Sequence, residues 1–192
     1  MNTIYKWTII GTALLITAAV CFWILRSTRI TEFQKEVHSW MGYKFNFPTE
    51  DVQLIHGDGS LLNRPYKFLM YIDDMGCTSC NLRLREWADK YETIFNKVAP
   101  DALSIVILFD GKKKEDILLL VKSAQWGMPV LWDRNGTVNK QRKFPRQTRM
   151  RRMLLDSDNR VIAIGDPLHS IRAYNLYLET ILKSNKKLFT NN

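Results

Sequence analysis

Cys77 and Cys80, three residues apart, are the side chains in this sequence best suited to covalent chemistry. Thiol–disulfide exchange needs a thiolate that attacks and a second thiol close enough to resolve the mixed disulfide. This spacing puts both sulfurs on one turn if the first cysteine opens a helix. Unpaired backbone N–H groups and the helix dipole at that end favour the thiolate and depress its pKa. Cys77 is therefore the expected nucleophile, and Cys80, one turn further in, the resolving thiol. Thr78 and Ser79 lie between them; their hydroxyls can donate to the Cys77 sulfur or cap the helix, and both roles are compatible. Asp73 and Asp74 precede the motif. A carboxylate there could shuttle a proton for Cys80; the plainer reading is a pair of solvated turn residues.

Such a site needs a strand to deliver it and a helix to carry it. Tyr66 to Ile72 reads as a largely apolar strand, and Cys77 opens a helix to about Val98. Trp87, Tyr91, Ile94 and Phe95 recur there at helical spacing and should face the core. Leu103 to Phe109 is a continuous apolar run, as expected of a central strand buried on both faces. A helix over Glu115 to Trp126 and a short strand over Val130 to Trp132 follow, with Pro129 at the strand entry. Met150 to Leu155 and Arg160 to Ile164 form a hairpin around Asp156–Asn159. Gly165-Asp166-Pro167 breaks it, and Ile171 to Leu182 is a closing amphipathic helix with a polar, frayed tail. Upstream, Tyr43 to Phe47 alternates apolar and polar, a half-buried strand stopped by Pro48, with Asp51 to Ile55 as its hairpin partner. The alternation of strands and helices makes this an α/β fold.

Ahead of all this, Trp7 to Leu25 carries no charge. Nineteen helical residues span about 28 Å, close to a bilayer core. Lys6 and Arg26 bracket the run, and Trp7 and Trp23 sit near its ends, where indoles favour the interface. The segment predicts a transmembrane anchor over residues 7–26. Ala18-Ala19-Val20-Cys21 loosely resembles a lipoprotein cleavage box. Val20 fits poorly there, and the apolar run continues past Cys21. Thr31 to Trp40 reads as a short stalk helix.

The chain has a net charge of +9, 46% hydrophobic residues and three cysteines. Seven of the thirteen residues from Lys140 to Arg152 are basic: Lys140, Arg142, Lys143, Arg146, Arg149, Arg151 and Arg152. No nucleic-acid-binding signature accompanies them, so no nucleic-acid partner is expected. They either hold positive potential over Cys77 or form a solvated or lipid-facing surface. Structural zinc sites usually need four ligands; no second C-x-x-C exists, and His38, His56 and His169 are scattered.

Taken with the strand before the motif, Cys77-Thr78-Ser79-Cys80 and the hairpin Met153–Asp156 with Arg160–Gly165, the chain resembles a bacterial family. It is similar to the membrane-anchored thioredoxin-like thiol–disulfide oxidoreductases of the TlpA/ResA type, over about Tyr66 to Leu182. The resemblance implies a thioredoxin-like central mixed sheet flanked by helices, here preceded by the N-terminal transmembrane helix. It also implies a redox-active Cys77–Cys80 disulfide with no dissociable cofactor, protein clients with cysteines, and an upstream redox partner. The family's usual cis-proline, facing the cysteines just before the hairpin strand, falls near Met150 here. Its absence bears on the client groove, where Arg149, Met150 and Arg151 become the loop residues of interest.

These readings combine into a bacterial inner-membrane, single-pass protein. Residues 1–6 form a tail, 7–26 the anchor, 27–42 a stalk, 43–185 the thioredoxin-like domain and 186–192 a polar tail. The domain is expected in the periplasm or otherwise outside the cytoplasm. The expected activity is thiol–disulfide exchange on protein thiols or disulfides. The alternative is a non-catalytic binding module presenting a basic groove to an envelope partner. A peroxidase on this fold would want Thr-x-x-Cys, and the positions three before Cys77 and Cys80 are Asp74 and Cys77.

Overall fold

Tyr66–Asp73 (β2) and Leu103–Asp110 (β3) are rich in aromatic and β-branched residues and buried at nearly every position. They pair in parallel, in register from Tyr66↔Leu103 to Asp73↔Asp110. Strands covered on both faces read as unbroken apolar runs, which is why both were legible from sequence. The protein, seen in a computed structural model, is described over residues 3–48, 50–73, 83–91 and 101–190. It divides into two compact units, Met1–Ser39 and Trp40–Asn192.

In the second unit, β1 (Val52–His56), β4 (Val130–Asp133), β5 (Arg152–Leu155) and β6 (Val161–Ile164) join the central pair. The sheet has six strands in the order β1-β4-β3-β2-β5-β6. β2, β3 and β4 are parallel; β1, and β5 with β6, add antiparallel edges. Alternation along the strands sorts side chains to two faces. Phe68, Met70, Ile105, Ile107, Phe109 and Leu154 face one cluster. There they meet Trp87 of α2 (Leu84–Lys90), Ile117 and Val121 of α3 (Lys114–Ser123), and Tyr177 and Ile181 of α5 (Ile171–Thr190). The four-residue spacing of each of the last two pairs puts one helix stripe on the sheet.

Leu69, Tyr71, Val106, Leu108, Met153 and Leu155 face the other way. Aromatic rings and the short α4 (Thr137–Gln141) cover that face. Phe144 stacks on Tyr71, with centroids 3.7 Å apart, and also packs on Trp40 and Phe45. This explains a correction. Residues 43–47 do not pair with 51–55. Val161 N–H donates to the Tyr43 carbonyl at 2.9 Å, Phe45 N–H donates to that of Asn159 at 2.9 Å, and Lys44 bridges to Arg160. Docking on the β5–β6 hairpin turns Phe45 onto the aromatic cover, while Val52–His56 serves β4 instead.

Other boundaries shift. Thr148–Arg151 is a 3₁₀ turn, so β5 starts at Arg152 rather than Met150. α5 continues to Thr190, past the expected end at Leu182. Among the described residues every peptide bond is trans, Met128–Pro129 included.

In the first unit, α1 (Thr3–Trp40) is one helix where sequence suggested a span and a separate stalk. Thr17 Oγ1 donates to Leu14 O at 2.9 Å and Thr28 Oγ1 to Leu25 O at 3.0 Å, both within the helix. Leu14, Leu15, Ile16, Phe22, Trp23 and Leu25 are all exposed. Among the described residues no helix is long and apolar enough to cross a membrane; described side chains in the apolar run begin at Ile10.

Candidate functional site

β2 delivers the chain to the motif, and α2 receives it afterwards. Cys77, Thr78, Ser79, Cys80 and Asp74 themselves lie outside the described residues, as do Ile94 and Phe95. The frame around them is described on both sides. It sits at the C-terminal edge of the parallel strands, where Asp73 of β2 is in register with Asp110 of β3. Open α/β sheets place their sites at this edge.

On the aromatic face, Asp73 is not a free turn carboxylate. Arg151 Nη1 approaches Asp73 Oδ2 at 2.9 Å, and Arg151 Nε donates to the Pro145 carbonyl at 2.7 Å. The guanidinium also stands 5.7 Å from the Tyr71 ring centroid. Tyr71 in turn donates its hydroxyl to Asp110 Oδ2 at 2.7 Å. Burial pushes the Asp110 carboxyl above its usual range, aided by the negative charges of Asp133 and Asp73 and opposed by the bonds from Tyr71 and Asn139. The Tyr71 phenol is raised too, first by burial and then by Asp110. Asp133 caps α4, accepting from Thr137 N and Val138 N at 2.8 Å each. Gly136 at φ 62° lets that turn pass Asp110, because a Cβ there would sit 2.9 Å from Asp110 Oδ1. Sequence reading missed Tyr71 and Asp110 as a pair. Only the parallel register places a β2 hydroxyl beside a carboxylate 39 residues later.

Three of the seven residues of the basic stretch are held by particular partners. Arg142 lies 4.4 Å from the Trp40 ring centroid, Arg151 pairs with Asp73, and Arg152 pairs with Asp166. Arg149 is exposed and Met150 is buried. Arg152 is the register partner of Met70. Extending that antiparallel register by two residues brings Met150 level with Ile72, near the end of β2 that leads to the motif.

On the helical face, Arg83 precedes α2 with φ 41°, and its Nη1 lies 3.2 Å from both Glu86 Oε2 and His169 Nε2. His169 Nδ1 lies 2.7 Å from Asp166 Oδ2. Asp166 also takes the Arg152 guanidinium and the Leu168 N–H. Lys90 Nζ donates to the Leu168 carbonyl at 3.1 Å. The loop between β6 and α5 is thus tied to both ends of the helix that follows the motif. At the far end of α2, Tyr91 donates to the Leu103 carbonyl at 2.6 Å. His169, read from sequence as a scattered surface residue, is a half-exposed hub of this network. Desolvation lowers its pKa, and the Arg152 and Arg83 charges lower it further. Because the folded value falls below the unfolded one, the unfolded state binds the proton more readily. Stability should therefore decline as pH falls from about 6.5, the ordinary imidazole value, towards the folded value. An NMR titration of the His169 ring should give a midpoint below that ordinary value; a midpoint above it would mean that the Asp166 carboxylate outweighs desolvation and the arginine charges.

No family model matches the sequence, and no curated protein matches it. Solved structures do. The thioredoxin domain of a thiol-disulfide oxidoreductase from Bacteroides vulgatus superposes with a TM-score of 0.51 at 11% identity, over 73% of this chain and 97% of that one. A protein assigned as thiol:disulfide interchange protein DsbE, from Chlorobium tepidum, gives 0.52 at 13% identity, over 73% and 97%. At such identities the likeness establishes the fold: the chain is thioredoxin-like, a central mixed sheet with flanking helices.

Proposed function

We propose that this chain is a membrane-tethered thiol–disulfide oxidoreductase acting on protein cysteines, with Cys77 attacking and Cys80 resolving. One observation carries the reading. The only C-x-x-C in the sequence falls between the end of β2 at Asp73 and the start of α2 at Leu84, on a thioredoxin-like sheet. Loops at the ends of parallel strands are where this architecture presents reactive groups. The solved structures of similar fold, described as a thiol-disulfide oxidoreductase and a thiol:disulfide interchange protein, support the same reading. The site needs only its own disulfide, an external protein that resets it, and clients with cysteines.

The tether is the uncharged run Trp7–Leu25 within α1. A helix whose leucines, isoleucines and indole stand exposed without a polar face is suited to lipid. The folded unit then lies on the periplasmic or otherwise extracytoplasmic side of a bacterial inner membrane, where disulfides persist.

A second reading, a binding module without turnover, is favoured by Met150. A buried thioether, rather than a proline, occupies the loop position level with the end of β2. A redox titration separates the two readings. The full chain in lipid nanodiscs is equilibrated against thiol–disulfide buffers, and alkylated cysteines are counted by mass. The expected result is a reversible two-electron transition confined to Cys77 and Cys80. Cysteines that stay reduced under oxidising buffer would decide for the binding module.

A further inference from the structure

The aromatic-covered face of the sheet holds a cavity of about 240 Å³, whose walls include Phe47, Leu69, Val106, Leu131 and Leu155. One cationic group lines it, Lys67. Lys67 shares its face of β2 with Leu69 and Tyr71, so an aliphatic side chain would complete the wall. A lysine stands there instead, and only 6% of it is exposed. Its Nζ donates to the Arg64 carbonyl at 3.4 Å, a long contact. None of the ion pairs among the described residues includes it. Asp156 and Asp158 act on it through space, but Asp156 Oδ1 is already bonded to the Asp158 and Arg160 N–H groups. A buried ammonium without a contacting counter-ion is an unfavourable arrangement. A ligand that supplies the counter-ion would relieve it.

We propose that this cavity binds a small monocarboxylate with an apolar tail, its carboxylate on Lys67 Nζ and its tail among Leu69, Val106, Leu131 and Leu155. The chemistry selects this class. Aliphatic walls offer an inorganic anion little, the amine penalises a wholly apolar ligand, and the nearby Asp156 and Asp158 disfavour a polyanion. A dry cavity of about 150 Å³ accepts benzene, so this one has room for a six-carbon chain and its head group. The site is distant from the end of β2 that leads to the motif: Asp73 lies six positions along the strand from Lys67, about 20 Å.

Hexanoate, hexan-1-ol and acetate are the probes. Each is titrated into the full chain in nanodiscs, with the methyl groups of leucine and valine observed by NMR. Hexanoate should shift the Leu69, Val106, Leu131 and Leu155 methyls saturably, about tenfold more tightly than hexan-1-ol, the margin expected of a charge-assisted contact. Acetate, lacking the tail, should leave them unmoved at the same concentrations. Lys67→Met keeps the length of the side chain and should erase the preference for acid over alcohol. Equal binding of acid and alcohol to the unmodified chain, or no saturable shift at these four methyls, would overturn the proposal even if the variant does not fold.

Discussion

Cys77→Ser should reduce exchange with a disulfide-bonded client by on the order of a thousandfold or more, because a neutral hydroxyl replaces the attacking thiolate. In the proposed reaction the Cys77 thiolate attacks one sulfur of the client disulfide. A Cys77–client bond forms, and the client's other sulfur leaves as a thiolate. Cys80, deprotonated, then attacks the Cys77 sulfur, giving the Cys77–Cys80 disulfide and a dithiol client that has gained two electrons. Each departing thiolate takes up a proton. Cys80→Ser removes only the second step, so the mixed disulfide should accumulate. On a non-reducing gel it should appear as a covalent adduct of the full chain, released by dithiothreitol. Exchange that survives Cys77→Ser, or a Cys80→Ser variant that traps nothing, would sink the assignment of roles.

What sequence made legible follows from how local the signal was. β2 and β3 declare themselves as apolar runs, and α3 and α5 by their four-residue repeats, because each buries a stripe that periodicity encodes. Residues 43–47 alternate like a strand, yet their partner depends on which sheet edge is free. That is a tertiary fact, and Pro48 and the aromatic cover decided it. The C-x-x-C spacing and the strand before it were visible in the sequence; of the helix expected from Cys77 to about Val98, the described residues show Leu84–Lys90, opening after Arg83 at φ 41°. The polar frame around the motif was not visible in the sequence. Asp73–Arg151 joins residues 78 apart, and Arg83–His169 joins residues 86 apart. Composition showed seven basic residues, read either as holding positive potential over Cys77 or as a solvated or lipid-facing surface. Burial and aromatic stacking instead assigned Arg142, Arg151 and Arg152 to particular partners. α1 hid its continuity because charges begin at Arg26, while backbone helicity does not depend on where polarity changes.

Asp166→Asn should destabilise the second unit by about 3–5 kcal/mol, the usual cost of leaving one partner of a buried ion pair alone. Arg152 and Asp166 are each at least nine-tenths buried, and the guanidinium also lies over Trp87 at 5.8 Å. The asparagine keeps the shape and one acceptor for the Leu168 N–H, so the charge is what the substitution removes. It also loosens His169 from its carboxylate, and with it the contact to Arg83 at the start of α2. Chemical unfolding of the full chain in detergent, followed by tryptophan fluorescence, measures the loss as a shifted midpoint. The double variant Asp166→Asn with Arg152→Met separates charge from shape. With no buried cation left to strand, it should recover most of the stability, since replacing both members of a buried pair costs far less than breaking it. A double variant no more stable than Asp166→Asn would mean that the loop is held by its hydrogen bonds to Leu168 and His169, and that the ion pair contributes little. If recovery is seen, the pair acts chiefly as a positional lock. It fixes the β6–α5 loop against α2, the helix that follows the motif in sequence.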